Sequence, residues 1–220
     1  PTLNESDNIE STLERLKPIR MAGHEVIVVD GGSTDETVQL ATSRADKVIT
    51  SVPGRALQMN NGANQASGNV LWFLHADTLI PDDATQLILK ALENKKNLWG
   101  RFDIRLSGTH FLLRMVERLM NLRSRITGIA TGDQGIFIRR EAFEAVGGFM
   151  PMPLMEDLDF SKRLKKLSWP YCLDAKLVTS SRRWEKNGVL RTILLMWRLR
   201  LAYTFGVSPE KLARNYKFSD

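Results

Sequence analysis

Three groups of carboxylates carry the chemistry this sequence offers. Asp30 closes the β-branched run Val26-Ile27-Val28-Val29 and opens the turn Gly31-Gly32-Ser33. Asp77 ends His75-Ala76-Asp77, directly after the apolar run Val70 to Leu74, and Glu156, Asp157 and Asp159 fall close together further on. A carboxylate after a buried strand has little structural reason to be there unless it is solvated or paired, and a hard divalent cation on a diphosphate would pair it. Asp30 has two roles open to it: accepting hydrogen bonds from a nucleobase or ribose, or from the amides of its own turn. The crowded acids repel one another, which raises the pKa of one and suits a general base, although a helix N-terminus would also favour them through its dipole.

The elements that position these groups are readable from periodicity. Val26 to Val29, Lys47 to Val52 and Val70 to Leu74 read as strands, and Ala56 to Ala66 as a helix. Ser33 has capping-box spacing to Glu36, which predicts a helix from Thr34 to about Arg44. Pro81-Asp82-Asp83 starts another, running to about Asn94. Strands alternating with helices imply a mostly parallel α/β sheet with ligands at the carboxyl ends of its strands, where Asp30 and Asp77 fall. The second half loses this rhythm. Thr109 to Ile126 predicts an amphipathic helix, with Arg114, Arg118 and Arg125 on one side and Met115, Leu119, Leu122 and Ile126 on the other. Its arginines suit a solvated face, or contact with an anion or membrane. Gly132-Asp133-Gln134-Gly135 precedes the short strand Ile136 to Ile138, and Glu156 to Phe160 begins a helix. Arg182 to Arg200 is strongly basic, with Leu190, Ile193, Leu194, Trp197 and Leu201 on one helical face. That pattern fits a helix lying on an anionic membrane, or a core-packed helix whose arginines snorkel.

Composition narrows the classes. The 220 residues suit a single domain over 1–220, with 43% hydrophobic and 25% charged residues. The net charge of +6 divides into −4 for residues 1–100 and +10 for residues 101–220. The acidic first half, and the lack of helix-turn-helix, zinc-finger or RNP patterns, speak against nucleic-acid binding. The turn after Asp30 has neither GxGxxG spacing nor a P-loop lysine. A single cysteine, Cys172, excludes an intrachain disulfide framework, and no apolar run is long enough to cross a bilayer. The expectation is a cytoplasmic protein, either free or peripheral on the cytoplasmic face of the membrane.

Taken in order, Pro1-Thr2-Leu3-Asn4-Glu5, Val28 to Asp35, His75-Ala76-Asp77, Glu156-Asp157 and Arg182-Arg183-Trp184 resemble family 2 glycosyltransferases with the GT-A fold. The likeness is strongest to a small bacterial branch with a Phe-Leu-His-Ala-Asp-Thr block, here Phe73 to Thr78, and a Gly-Asp-Gln-Gly block, here Gly132 to Gly135. The resemblance implies a nucleotide-sugar-binding half over 1–100 and an acceptor and catalytic-base half over 101–220. Thr2, Glu5, Asp30, Arg55 and His75 would line the donor pocket, with Asp77 holding Mg²⁺ or Mn²⁺ on its diphosphate. Asp157 would be the general base of an inverting transfer, with Glu156 its neighbour. Asp133 would lie near the reacting sugars, and Arg183 and Trp184 would close over donor or acceptor. The acceptor would be a hydroxyl of unidentified source, a lipid carrier being one option that several family members use. The family also has a strand immediately before Pro1-Thr2, which is expected to be missing from this sequence. His75 replaces the first aspartate of the usual Asp-x-Asp, and Gly31 the second aspartate of Asp-Asp-Gly-Ser. A non-catalytic binder of nucleotide sugars or other anionic ligands is the alternative, and a sugar nucleotidyltransferase a weaker one.

Overall fold

The structure is a computed structural model that describes residues 1–217, apart from the side chains of Arg183 and Lys217. Helix α1 (Ser6–Met21) places Ile9, Leu13 and Leu16 on one stripe, which packs on Val28 of strand β1 (Ile27–Asp30). The chain continues through α2 (Thr37–Thr42), β2 (Lys47–Thr50), α3 (Arg55–Gln65), β3 (Val70–Trp72) and α4 (Ala84–Glu93). Helix α2 starts later than the predicted Thr34. Ser33 does not cap it, because its hydroxyl turns back to the buried Asp30 carboxylate, and Asp35 accepts the Thr37 N–H at 3.0 Å instead.

The second half contains β4 (Trp99–Leu106), α5 (Phe111–Thr127), a 3₁₀ turn at Gly132–Gln134, β5 (Phe137–Arg139) and α6 (Arg140–Ala145). It ends with α7 (Glu156–Leu164), β6 (Tyr171–Thr179), α8 (Arg182–Asn187), α9 (Val189–Thr204) and α10 (Pro209–Lys217). The α/β class is as expected, but the pairing is mixed rather than mostly parallel. β1 and β2 form a parallel pair, while the second sheet runs β3-β5-β4-β6 with β5 antiparallel to both neighbours and β6 parallel to β4. β5 reaches only the start of β4, pairing Phe137 with Gly100 and Ile138 with Trp99.

Among the described residues no backbone hydrogen bond joins β1 to β3. A cavity of about 330 Å³ lies between them, lined by Leu13, Val28, Leu71 and Ile88 among others. Thr2 runs along its rim in a parallel bridge with Asp30, donating its N–H to the Val29 carbonyl at 2.9 Å. A strand of the kind the resemblance implies, continued in that register, would have β1 on one side and β3 on the other.

Helix α5 is turned opposite to the solvated-arginine expectation. Arg114 donates to the Leu106 and Gly108 carbonyls and pairs with Glu117 at 2.9 Å, and Arg125 bridges Asp103 and Asp174. Met115, Leu119, Leu122 and Ile126 are 45–67% exposed instead. The β4 edge supplies the reason: Asp103 and two open carbonyls satisfy the arginines better than leucines could. Helix α9 packs Leu195, Met196 and Leu199 beside Leu154, Met155 and Leu158, and leaves Leu190, Leu194, Trp197 and Leu201 60–69% exposed. Among the described residues no helix is long and apolar enough to cross a membrane.

Candidate active site

The first wall of the site is the turn after β1. Asp30 is buried, and its Oδ2 accepts the N–H groups of Gly32 and Ser33, each at 2.8 Å, while Oδ1 takes the hydroxyls of Ser33 and Thr2. Burial alone would raise its pKa, but these donors outweigh burial and hold it below the usual aspartate value. The carboxylate is thus spent on its own turn, and a base contact would require it to release a donor. Gly31 is explained by what lies beneath it. The buried Gln58 donates Nε2 to the Thr2 and Val29 carbonyls, and a Cβ on residue 31 would stand 3.0 Å from that nitrogen.

The second wall brings three distant segments together. His75 Nδ1 lies 3.3 Å from Asp133 Oδ1, and a Cβ at Gly132 would fall 2.7 Å from His75 Nε2, so only glycine admits the imidazole. The Gly132 N–H binds Asp157 Oδ2 at 3.0 Å, and the Leu158 N–H binds Oδ1 at 2.8 Å, which fixes the carboxylate's direction. Glu156 is 3% exposed, with Oε1 paired to Arg55 at 2.8 Å and Oε2 buried without a partner among the described residues. Burial raises its pKa, with Arg55 opposing and Asp157 adding to the rise. The acid perturbed upward is therefore Glu156, by burial first and by crowding only second. Asp133 is held low: burial pushes it up, but the His75 hydrogen bond and the positive charges of Arg55 and Arg200 prevail. Met155, just before Glu156, adopts φ +72°, a left-handed conformation that costs a non-glycine residue about 1–3 kcal/mol. Its side chain is buried beside Leu158 and Leu199, and that packing holds the turn.

The third wall is α8. Arg182 Nη2 lies 3.6 Å from Glu5 Oε2 and 3.7 Å from Asp77 Oδ2. The sequence reading pointed to Arg183 and Trp184 and missed this residue. The signal was available, since Arg182 opens the same basic block. The Arg183 side chain lies outside the described residues. Trp184 is not over the site: it is partly buried against Leu106, Leu113 and Val116, where its ring covers the end of β4.

Among the described residues no three His, Cys, Asp or Glu side chains converge as a self-contained metal site. A single accessible carboxylate such as Asp77 still fits a hard cation that completes its coordination with phosphate oxygens and water. Arg182 already places positive charge beside it.

Comparison with known proteins agrees with this fold. Residues 1–147 match the family described as Glycosyl transferase family 2, and the chain belongs to it. An uncharacterised glycosyltransferase of Mycobacterium tuberculosis is 35% identical over 223 residues, covering 93% of this chain and 84% of that protein. A poly-β-1,6-N-acetyl-D-glucosamine synthase of Staphylococcus aureus is 30% identical over 101 residues, 43% of this chain and 24% of its own length. The chain therefore spans about a quarter of that relative. An undecaprenyl-phosphate 4-deoxy-4-formamido-L-arabinose transferase of Yersinia pestis is 26% identical, covering 63% of this chain and 46% of that protein. Among solved structures, S. aureus TarS 1–349 in complex with UDP-GlcNAc superposes with a TM-score of 0.66 at 19% identity, over 82% of this chain and 56% of that one. The mannosyltransferase PcManGT of Pyrobaculum calidifontis, with GDP-Man and Mn²⁺, gives 0.60 at 19% identity over 100% and 68%. The fold is that of GT-A glycosyltransferases.

Proposed function

We propose that this protein transfers a sugar from a nucleotide-diphosphate sugar to an acceptor hydroxyl with inversion, using Asp157 as general base. One observation carries the assignment. Of the three acids that open α7, Glu156 is paired to Arg55 and Asp159 to Arg163 at 2.7 Å, while no Lys, Arg or His among the described residues lies within 4 Å of Asp157. Two backbone N–H groups aim Asp157 without neutralising it, which is what a base awaiting a hydroxyl proton requires. In the transfer the acceptor oxygen bonds to the anomeric carbon as the bond to the diphosphate oxygen breaks. The hydroxyl proton passes to Asp157, and the nucleoside diphosphate leaves with the electron pair. Thr2, Glu5 and the turn held by Asp30 shape the nucleotide side, and Arg182 stands where it can exchange Asp77 for diphosphate. Asp77 would hold Mg²⁺ or Mn²⁺, which when bound offsets the charge developing on the leaving group. TarS and PcManGT, whose structures hold UDP-GlcNAc and GDP-Man with Mn²⁺, support a donor of this class.

The test is a melting-temperature panel of UDP-, GDP- and dTDP-sugars, each with and without Mn²⁺. A ligand at about 100 times its dissociation constant adds about 2.7 kcal/mol, a rise of roughly 5–10 °C at this size. A metal-dependent rise with one nucleotide class is expected. No rise with any donor removes the transferase reading and leaves only a binder of other anionic ligands.

The exposed stripes of α5 and α9 support peripheral contact with an anionic bilayer. Glu117, the single acid on α5, is buried, and α9 has none, so the exposed charges bordering both stripes, including Arg118, Arg191 and Arg198, are basic. Two such faces would repel each other in a dimer, whereas anionic headgroups complement them. The Y. pestis relative, named for an undecaprenyl-phosphate substrate, agrees with a lipid-linked acceptor. Vesicles containing phosphatidylglycerol should carry the protein upward in flotation at low salt, and failure to float removes this part of the proposal.

A further inference from the structure

Arg123 on α5 and Arg200 on α9 are charges without a counterpart. Among the described residues neither has a carboxylate within 4 Å, and Arg123 Nε and Nη2 are shut off from water with no hydrogen-bond partner. The neighbouring arginines each have an acid: Arg55 holds Glu156, Arg101 holds Asp103 and the Asn121 carbonyl although its Nε is unpaired, and Arg125 holds Asp103 and Asp174. Burying guanidinium nitrogens without partners is costly, so Arg123, with two such nitrogens and no acid of its own, signals a missing anion. Burial is the main cause that brings the Arg123 pKa down to about 9, and repulsion from Arg200 lowers it further while Asp157 opposes. Arg200 is also lowered by burial, against the pull of Asp157 and Asp133. Leu199, the neighbour of Arg200 on α9, is buried beside Met155 and Leu158, the residues that flank Glu156 and Asp157, so this part of α9 packs on the segment that carries the proposed base.

We infer that Arg123 and Arg200 form an anion subsite on the acceptor side of Asp157, which takes a phosphate-class group carried by the acceptor. This inference rests on the transferase reading and names the acceptor's chemistry. Both arginines lie on the helices that present the exposed apolar stripes, so a phosphate reaching them could belong to a lipid or to a soluble phosphomonoester. The nucleotide side is lined by Thr2, Glu5 and Asp77, with Arg182 as its cation.

The test compares wild type, Arg123→Gln and Arg200→Gln by calorimetry in a phosphate-free chloride buffer. The probes are inorganic phosphate, glycerol 3-phosphate, undecaprenyl phosphate in detergent micelles, and UDP or GDP with Mn²⁺. Each substitution should weaken phosphate-ester binding about tenfold or more, the effect of a charge-assisted hydrogen bond, while nucleotide binding stays within about twofold. Neither variant should melt below wild type without phosphate, since no native partner is lost. Arg200 reaches solvent, which keeps the test readable if Arg123→Gln does not fold. Preference for the lipid or the soluble ester upholds the subsite in either case and identifies the source. Unchanged phosphate binding in both variants overturns the inference, as does a parallel loss of nucleotide binding, which would assign the arginines to the donor. Phosphate binding that depends on both arginines, in a protein that binds no nucleotide, would keep the subsite and remove the transferase reading.

Discussion

In the first hundred residues the carboxylates turn inward, Asp30 to the amides of Gly32 and Ser33 and Asp35 to those of Thr37 and Ser6. In α5 Arg114 and Arg125 turn inward while Leu119 and Leu122 turn out. The first arrangement rests mainly on local backbone, since each turn supplies most of its own donors, with Thr2 and Ser6 adding one each. The second needs a distant partner, the β4 edge, and leaves an apolar surface that only something outside the chain can cover. Local electrostatics therefore shape the donor side, and tertiary electrostatics decide what the acceptor side presents. Asp157 lies at the seam, aimed by Gly132 from one segment and Leu158 from its own.

The sharpest way to break this comparison is at the seam. Asp157→Asn keeps the shape and removes the base, so turnover should fall about 10²–10⁴-fold while nucleotide affinity holds. Equal turnover would place the base elsewhere. On the acceptor side, Leu194→Ser with Trp197→Ser removes two side chains, each worth about 1.5–3 kcal/mol on burial, and should abolish vesicle flotation without changing the melting temperature. A large drop in melting temperature would show that the stripe is covered by protein. Gly132→Ala drives a methyl toward His75 and should cost about 1–3 kcal/mol in denaturant unfolding, most of it recovered when His75→Ala is added. On the donor side, Asp30→Asn should cost about 1–3 kcal/mol at pH 7. The folded-state pKa of Asp30 lies below its unfolded value, so its contribution is present above the unfolded pKa and is lost as pH falls through the folded one. The deficit of the variant should therefore shrink below about pH 4. A constant deficit would mean that the amide cannot fit the turn sterically.

Much of the donor side was legible because its strands are short continuous apolar runs ending in an aspartate. β1, β3 and α3 fall within a few residues of prediction. The central pair β4 and β6 was not legible. In Trp99–Leu106 charged residues alternate with apolar ones as on a half-solvated strand, yet Arg101 is completely buried and is satisfied by Asp103 and a carbonyl from α5. Pairing of this kind leaves no trace in periodicity. The same holds for the site. Asp77, Glu156 and Asp157 stand out against apolar flanks, whereas Arg123 and Arg200 are single arginines in a basic half, and only their surroundings distinguish them.

The left-handed turn at Met155 has a consequence for how the base is held. A residue with a Cβ gains by leaving φ +72°, and the packing of Met155 beside Leu158 and Leu199 is what opposes that release. Lifting Leu199 with its helix would let the turn relax and draw Asp157 off the Gly132 N–H, so α9 serves as a latch on the base.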